Sequence, residues 1–124
     1  MLLNRDRVRH EQNPLQRRKD LDNVARSHCE DMLADGFFGH DSPTTGTVRD
    51  RVNTEGIAFK RLGENLARNS TIGGAQEGLM FSLGHRKNCL SASFDSVGIG
   101  VAMRELGGRK DWYLCQVFSA GTNP

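Results

Sequence analysis

Val97-Gly98-Ile99-Gly100-Val101-Ala102-Met103-Arg104-Glu105-Leu106-Gly107-Gly108-Arg109-Lys110-Asp111-Trp112-Tyr113-Leu114-Cys115-Gln116-Val117-Phe118 is the stretch that decides the fold. Val97, Ile99, Val101 and Met103 recur at every second position, the pattern of a half-buried strand. Gly107-Gly108 is a two-residue turn signal. Trp112 to Phe118 then alternates as the partner strand, so this region predicts an antiparallel hairpin.

What precedes the hairpin reads as helix. All 14 glycines lie at Gly36 or later, and glycine costs a helix about 1 kcal/mol relative to alanine. Leu2 to His10 reads as a short polar helix that stops before Asn13-Pro14, because a residue preceding proline is pushed out of helical geometry. Leu21, Val24, Ala25, His28, Cys29, Met32 and Leu33 form one apolar stripe at helical spacing. Gly36 stands where a glycine C-cap belongs. Thr47-Val48-Arg49-Asp50 resembles a capping box with Asp in place of Glu, opening a third helix that runs to Gly56. Ile57 to Leu62 reads as extended, leading into a loop at Gly63-Glu64-Asn65. Ser70 or Thr71 caps a fourth helix with the stripe Ile72, Ala75, Leu79 and Leu83, ended by Gly84. Helices first and a hairpin last predict an α+β domain with an antiparallel sheet. A length of 124 residues makes it a single domain, 1–124.

Composition excludes several classes of function. Hydrophobic residues are 36% and charged residues 26%, polar for a globular chain, yet the apolar residues are periodic and so specify a fold. The net charge of +2 is too small, and too mixed along the chain, for nucleic-acid binding. No apolar run approaches the ~20 residues of a membrane span, and Met1-Leu2-Leu3 passes directly into Asn4-Arg5-Asp6-Arg7 without a signal-peptide pattern. Cys29, Cys89 and Cys115 contain no C-x-x-C and are not a disulfide framework; they read as small buried hydrophobes with at most one bridge. H-E-x-x-H, G-x-S-x-G, P-loop and dinucleotide signatures are all missing. Asn69-Ser70-Thr71 fits the glycosylation pattern but competes with a helix cap.

The histidines carry more information. His10 ends a polar helix and reads as exposed. His28 lies on the apolar stripe and reads as a hydrogen-bonded core residue. His40 and His85 each follow a glycine, and both read as loop residues just after a helix end, where sites are built on a rigid scaffold. Glu64 shares that setting behind Gly63. Two imidazoles and one carboxylate form one of the catalytic zinc sets, although these three are not spaced as a local zinc motif.

The motifs, taken in order, resemble a bacterial CAP domain, the SCP-like domain of cysteine-rich secretory proteins, antigen 5 and pathogenesis-related 1 proteins. The resemblance rests on Leu3-Asn4 with Arg7, Leu21 with Ala25, Asp31-Met32 and Phe38-Gly39-His40-Asp41-Ser42-Pro43. It continues through Gly63-Glu64-Asn65-Leu66-Ala67 and Ser82-Leu83-Gly84-His85-Arg86-Lys87-Asn88-Cys89-Leu90, where Leu83 and Cys89 depart from the family pattern. It closes on Phe94, Val97-Gly98-Ile99-Gly100, Trp112 and Gln116-Val117-Phe118.

The resemblance implies an α-β-α sandwich around a small antiparallel sheet, with a cleft holding His40, His85 and Glu64. It implies zinc or another divalent cation on those three residues. Eukaryotic relatives add a second acid before the second histidine, and the candidates here are Glu77 and Ser82. At 100° per residue, Glu77 lies about 200° from Ala75, while Ser82 lies about 60° from Leu79, beside the stripe. Ser82 is therefore expected nearer the cleft and Glu77 near the helix start, where a carboxylate favours the dipole. Asn65 and Asn88 are expected to orient loop backbone, and Arg86 to bind an anionic group or pair on the surface.

Three functions follow as expectations. The first is a secreted or envelope-associated monomeric module that binds a divalent metal and has no established catalysis. The second is a metal-dependent, peptidase-like hydrolase with Glu64 as base and, by a weaker nucleophilic route, Ser82 with His85. The third is a lipid or sterol binding module. In each, the cleft takes a small molecule, lipid or peptide; the resemblance implies export, with any leader lying outside this chain.

Overall fold

A computed structural model describes residues 1–121. The last three residues of the expected domain lie outside the described ones. The elements run α1 Leu2–Arg9, β1 Gln16–Arg17, α2 Lys19–Asp35, α3 Val48–Thr54, β2 Arg61–Asn69, α4 Ile72–Phe81, α5 Leu83–Leu90, β3 Ser96–Leu106 and β4 Arg109–Ala120.

The hairpin forms as its sequence predicts. Leu106 pairs with Arg109 across a two-residue turn. Gly107 and Gly108 both have positive φ, 56° and 80°. That left-handed pair suits a turn whose twist matches the flanking strands, and glycine adopts it without steric cost.

The strand order is β1-β3-β4-β2, with β4 central. The three long strands are antiparallel, and the two-residue β1 adds a parallel edge to β3, so the sheet is mixed. β4 is buried without interruption from Tyr113 to Ser119, where alternation was expected. The reason is that both its faces are covered. One face packs Tyr113, Cys115 and Val117 with Leu21, Ala25, Cys29, Met32 and Val52 of α2 and α3. The other packs Leu114 and Phe118 with Leu3, Ala75, Leu79 and Cys89 of α1, α4 and α5. Two such layers on one sheet make the α-β-α sandwich. α2 lies directly on β3, because a Cβ on Gly98 would collide with the Leu21 backbone and one on Gly100 with the Ala25–Arg26 backbone.

The helix signals are local and strong. Gly36 takes φ 69° and caps α2. Thr47 and Asp50 form a reciprocal capping box on α3. Thr71, the second of the two candidates, caps α4 by accepting from the Gly74 amide at 2.9 Å.

Two expectations are corrected. Gly63-Glu64-Asn65 is not a loop but lies within β2, paired with Phe118, Val117 and Gln116. The fourth helix does not run to Gly84. It stops at Phe81, Ser82 takes extended backbone (φ −99°, ψ 117°), and α5 begins at Leu83 and contains Gly84. Leu83 is 84% exposed, so it does not extend the buried stripe. The three cysteines are free and buried.

Candidate functional site

β2 is an edge strand, and its adjacent residues Glu64 and Asn65 point to opposite faces of the sheet. Each anchors one of the two loop-motif histidines. Glu64 faces α2 and α3. Its Oε2 accepts from Arg51 Nη1 at 2.6 Å and its Oε1 from Arg51 Nη2 at 3.1 Å, a two-pronged guanidinium–carboxylate pair. The pair is buried, with side chains 6% and 2% exposed. The Cys115 thiol donates to Oε2 at 3.4 Å, and His40 Nδ1 lies 2.9 Å from Oε1. Arg51 Nη2 also donates to the His40 carbonyl at 2.7 Å, so one guanidinium holds both the carboxylate and the backbone of the histidine. Burial raises the Glu64 carboxyl, but hydrogen bonds and charge from Arg51, helped by His40, outweigh it and hold it below its ordinary range.

The loop that carries His40 is built for this position. Gly36 reverses the chain after α2, and the His28 ring Nε2 sits 2.8 Å from the Gly39 carbonyl. Ser42 donates to Asp31 at 2.5 Å and pairs its backbone with Gly46. The His40 side chain stays 54% exposed.

The other face is held by neutral amides. Asn65 Nδ2 donates to the His85 carbonyl at 3.0 Å and to Gln116 Oε1 at 3.2 Å. Gln116 donates to Gln76 at 2.7 Å, and Gln76 donates to Asp6 at 3.0 Å, so the network reaches α1. Asn88 donates to Asn65 Oδ1 at 3.0 Å and to the Glu64 carbonyl at 3.5 Å. Asn65 and Asn88 thus hold backbone, of α5 and β2 rather than of loops as expected. Buried Arg7 donates to the carbonyls of Cys89 and Ser91 at 2.8 and 2.9 Å, placing a cation at the C-terminal end of α5.

His85 lies in the first turn of α5, not in a loop. Its ring Nδ1 is 2.7 Å from Ser82 Oγ. Ser82 is thus beside His85, while Glu77 is exposed and beyond the first turn of α4 rather than at its start. Arg86 donates to the Met80 carbonyl at 3.4 Å. A groove of about 310 Å³ runs past His85, Ser82 and Leu79 to Arg68 and Phe38, the latter in the loop of His40.

Two roles expected of Glu64 compete with the partners it already has. A carboxylate has about four lone-pair directions, and two Arg51 nitrogens, the Cys115 thiol and His40 face them all. These partners compete with a metal for the carboxylate and with its use as a general base. Consistently, among the described residues no group of three or more His, Cys, Asp or Glu side chains is arranged to hold a metal ion. Imidazole suits such an ion by donor type, and the structure pairs His40 with Glu64 and His85 with Ser82. Glu64 on His40 Nδ1 favours the tautomer that leaves Nε2 bare, the usual arrangement behind a metal-ligating histidine. The Ser82 hydroxyl on His85 Nδ1 can accept or donate, and where it accepts it does the same.

Arg51 is the functional residue the sequence conceals. In a predicted helix it resembles any solvated charge, and its partner lies 13 residues away. Its place one turn after the Thr47 cap is the only local hint.

Residues 2–118 match the family described as the cysteine-rich secretory protein family, CAP. Over 100 residues the chain is 37% identical to the uncharacterized protein YkwD of Bacillus subtilis (strain 168), covering 80% of this chain and 39% of that protein. It is also 37% identical over 101 residues to the uncharacterized membrane protein YlbC of the same organism, covering 81% of this chain and 29% of that protein. An extracellular protein containing a SCP domain from Bacillus anthracis str. Ames superposes with a TM-score of 0.82 at 34% identity, over 96% of this chain and 38% of that one. An outer surface protein from Borrelia burgdorferi shares the fold at a TM-score of 0.79 and 17% identity, over 96% of this chain and 86% of that one. With its helices, sheet and cleft residues in the order the family's motifs imply, the chain belongs to the cysteine-rich secretory protein (CAP) family.

Proposed function

We propose that this CAP domain works outside the cytoplasm and binds a divalent cation, zinc by preference, through His40 and His85. In this reading Glu64 orients His40 and does not ligate. The observation that carries it is the contact of His40 Nδ1 with the buried, Arg51-locked Glu64 carboxylate at 2.9 Å. That contact fixes the ring and raises the basicity of its other nitrogen, and imidazole ligands suit zinc. The cation, once bound, supplies Lewis acidity. The chain supplies ring orientation, with Glu64 behind His40 and Ser82 behind His85. Support for an extracytoplasmic place comes from the extracellular Bacillus anthracis relative. No helix among the described residues is long and apolar enough to cross a membrane.

Calorimetric titration with zinc tests this. Wild type is expected to bind at one site, and His40→Ala and His85→Ala to lose it. Glu64→Gln is expected to weaken it about 10- to 100-fold without abolishing it. No binding by wild type, or binding unchanged from wild type in both histidine variants, overturns the proposal. Loss of binding in Glu64→Gln as complete as in His40→Ala would make Glu64 a ligand.

One observation favours a second reading, lipid binding. Leu2, Ile72, Ile99, Val101 and Leu114 line an apolar groove of about 230 Å³ between α1, α4 and the sheet. Saturable uptake of a fluorescent fatty acid, insensitive to chelator and lost in Val101→Arg, is its signature.

A further inference from the structure

The break between α4 and α5 leaves two large apolar side chains in water. Phe81 and Leu83 are each 84% exposed, more than any other large apolar side chain among the described residues. An unbroken helix would set positions 81 and 83 about 200° apart, on opposite sides. Ser82, extended at φ −99° and ψ 117°, interrupts the helix and leaves both side chains out of the buried stripe.

Cations flank them. Two surface depressions share Arg86 as a wall and so form one continuous face. Phe81 lines the first with Arg9 and His10, and Leu83 lines the second with Lys87 and Leu90. Arg9 and Lys87 are exposed, and Arg86 is half-buried. Among the described residues none of these three cations has a carboxylate partner, whereas Arg51, Arg68 and Arg104 each face one. Arg86 donates to the Met80 carbonyl at 3.4 Å. The acid in the two depressions is Asp6, 8% exposed and already engaged by Gln76 at 3.0 Å and Arg5 at 3.2 Å. Glu77, one helical turn before Phe81, is exposed and lines neither depression. The face therefore carries a surplus of positive charge around two apolar tips.

That combination fits an anionic bilayer. Exposed apolar groups rimmed by polar ones mark contacts with proteins or membranes. A bilayer interface takes in Phe and Leu side chains while Lys and Arg pair with its negative headgroups. It accepts protruding side chains without shape matching, and it supplies the counter-charge that Arg9, Arg86 and Lys87 lack. Attraction of this kind falls off within a Debye length, so salt weakens it.

We propose that the α4–α5 break is a peripheral docking site for an anionic phospholipid surface. Phe81 and Leu83 enter the headgroup boundary, and Arg9, Arg86 and Lys87 pair with lipid phosphates. Neither His40 nor His85 takes part, so the proposal stands apart from cation binding in the cleft. Two apolar side chains and three cations give a weak, reversible and salt-sensitive attachment.

The test is flotation of the 124-residue chain with vesicles of phosphatidylcholine alone and of equal parts phosphatidylcholine and phosphatidylglycerol. At low salt, binding to the mixed vesicles is expected to be at least about tenfold stronger, and to be lost at high salt. Phe81→Ser/Leu83→Ser and, separately, Arg86→Glu/Lys87→Glu are each expected to weaken it at least about tenfold. Glu77→Lys is expected to strengthen it. In Phe81→Trp, brominated phosphatidylglycerol is expected to quench the added indole, a readout that stands if a double variant fails to fold. Poly-L-glutamate serves as the acidic-polypeptide arm. Equal binding to the two vesicle types, or binding to neither, overturns the proposal, as does saturable binding of poly-L-glutamate in place of the vesicles. Mixed-vesicle binding lost in the charge variant but kept in the serine variant means attraction by charge alone, and overturns it too. So does quenching in Phe81→Trp no greater than in wild type.

Discussion

The two faces of β2 solve one problem with different chemistry. On the Glu64 face a histidine is held by charge, through a buried carboxylate locked by Arg51. On the Asn65 face a histidine is held by side-chain amides, in a chain from the Asp6 carboxylate by Gln76 and Gln116 to Asn65 and the His85 carbonyl. A buried charge is tolerable only while its partner remains, whereas an amide network loses a bond at a time. The charged face should therefore be the brittle one and the amide face the forgiving one.

The largest effect expected from this difference is in Arg51→Met. It leaves Glu64 buried and unpaired, which costs about 3–5 kcal/mol. Urea denaturation at neutral pH measures it. The double variant Arg51→Met/Glu64→Leu should recover most of that loss, since replacing both members of a buried pair by apolar residues is often neutral. A loss under about 1 kcal/mol in the single variant would remove the distinction between the faces. Gln116→Leu comes next. It deprives Gln76 and Asn65 of partners and is expected to cost about 1–3 kcal/mol, with His85 amide exchange accelerated and His40 unaffected.

Acid separates the faces in a third way. His28 and Glu64 both sit on the charged face, and both have folded pKa values below their ordinary ones. For each, the unfolded chain takes up a proton before the folded chain does as pH falls, so stability is lost on acidification. The His28 contribution is full above about pH 6.5 and declines below it; the Glu64 contribution is full above about pH 4.3 and declines below that. Denaturant midpoints should fall in two steps between neutral and strongly acidic pH. His28→Gln should remove the upper step and Glu64→Gln the lower. A single step that survives both substitutions would place the acid sensitivity elsewhere.

The same asymmetry governs what the sequence reveals. Local devices are legible: the α2 stripe with its Gly36 cap, the Thr47–Asp50 box and the Gly107-Gly108 turn all act within a few residues. The candidates His40, Glu64 and His85 emerge from motif order, and the structure places the first two in contact. The β2 strand is hidden because Gly, Glu and Asn have low strand propensity, and its stability comes from pairing with β4. The break at Ser82 is hidden because Leu83 continues the helical period although it faces solvent. Arg51 is hidden because the value of a buried ion pair lies in a partner on another element. Local period and capping carry no trace of it.

The smallest expected effect sharpens the comparison most. Ser82→Ala removes the hydroxyl 2.7 Å from His85 Nδ1, a contact between neutral groups that bonds no backbone amide of α5. Its stability cost should stay below about 1 kcal/mol. His85 then loses the side-chain partner on Nδ1, and its ring nitrogen shifts should move. Hydrogen bonds to charged groups are about twice as strong as neutral ones. Zinc affinity should therefore fall less in Ser82→Ala than in Glu64→Gln, because Glu64 orients His40 with a full charge. An equal or larger fall in Ser82→Ala would mean that His85, held by neutral contacts, is the more finely positioned of the two rings.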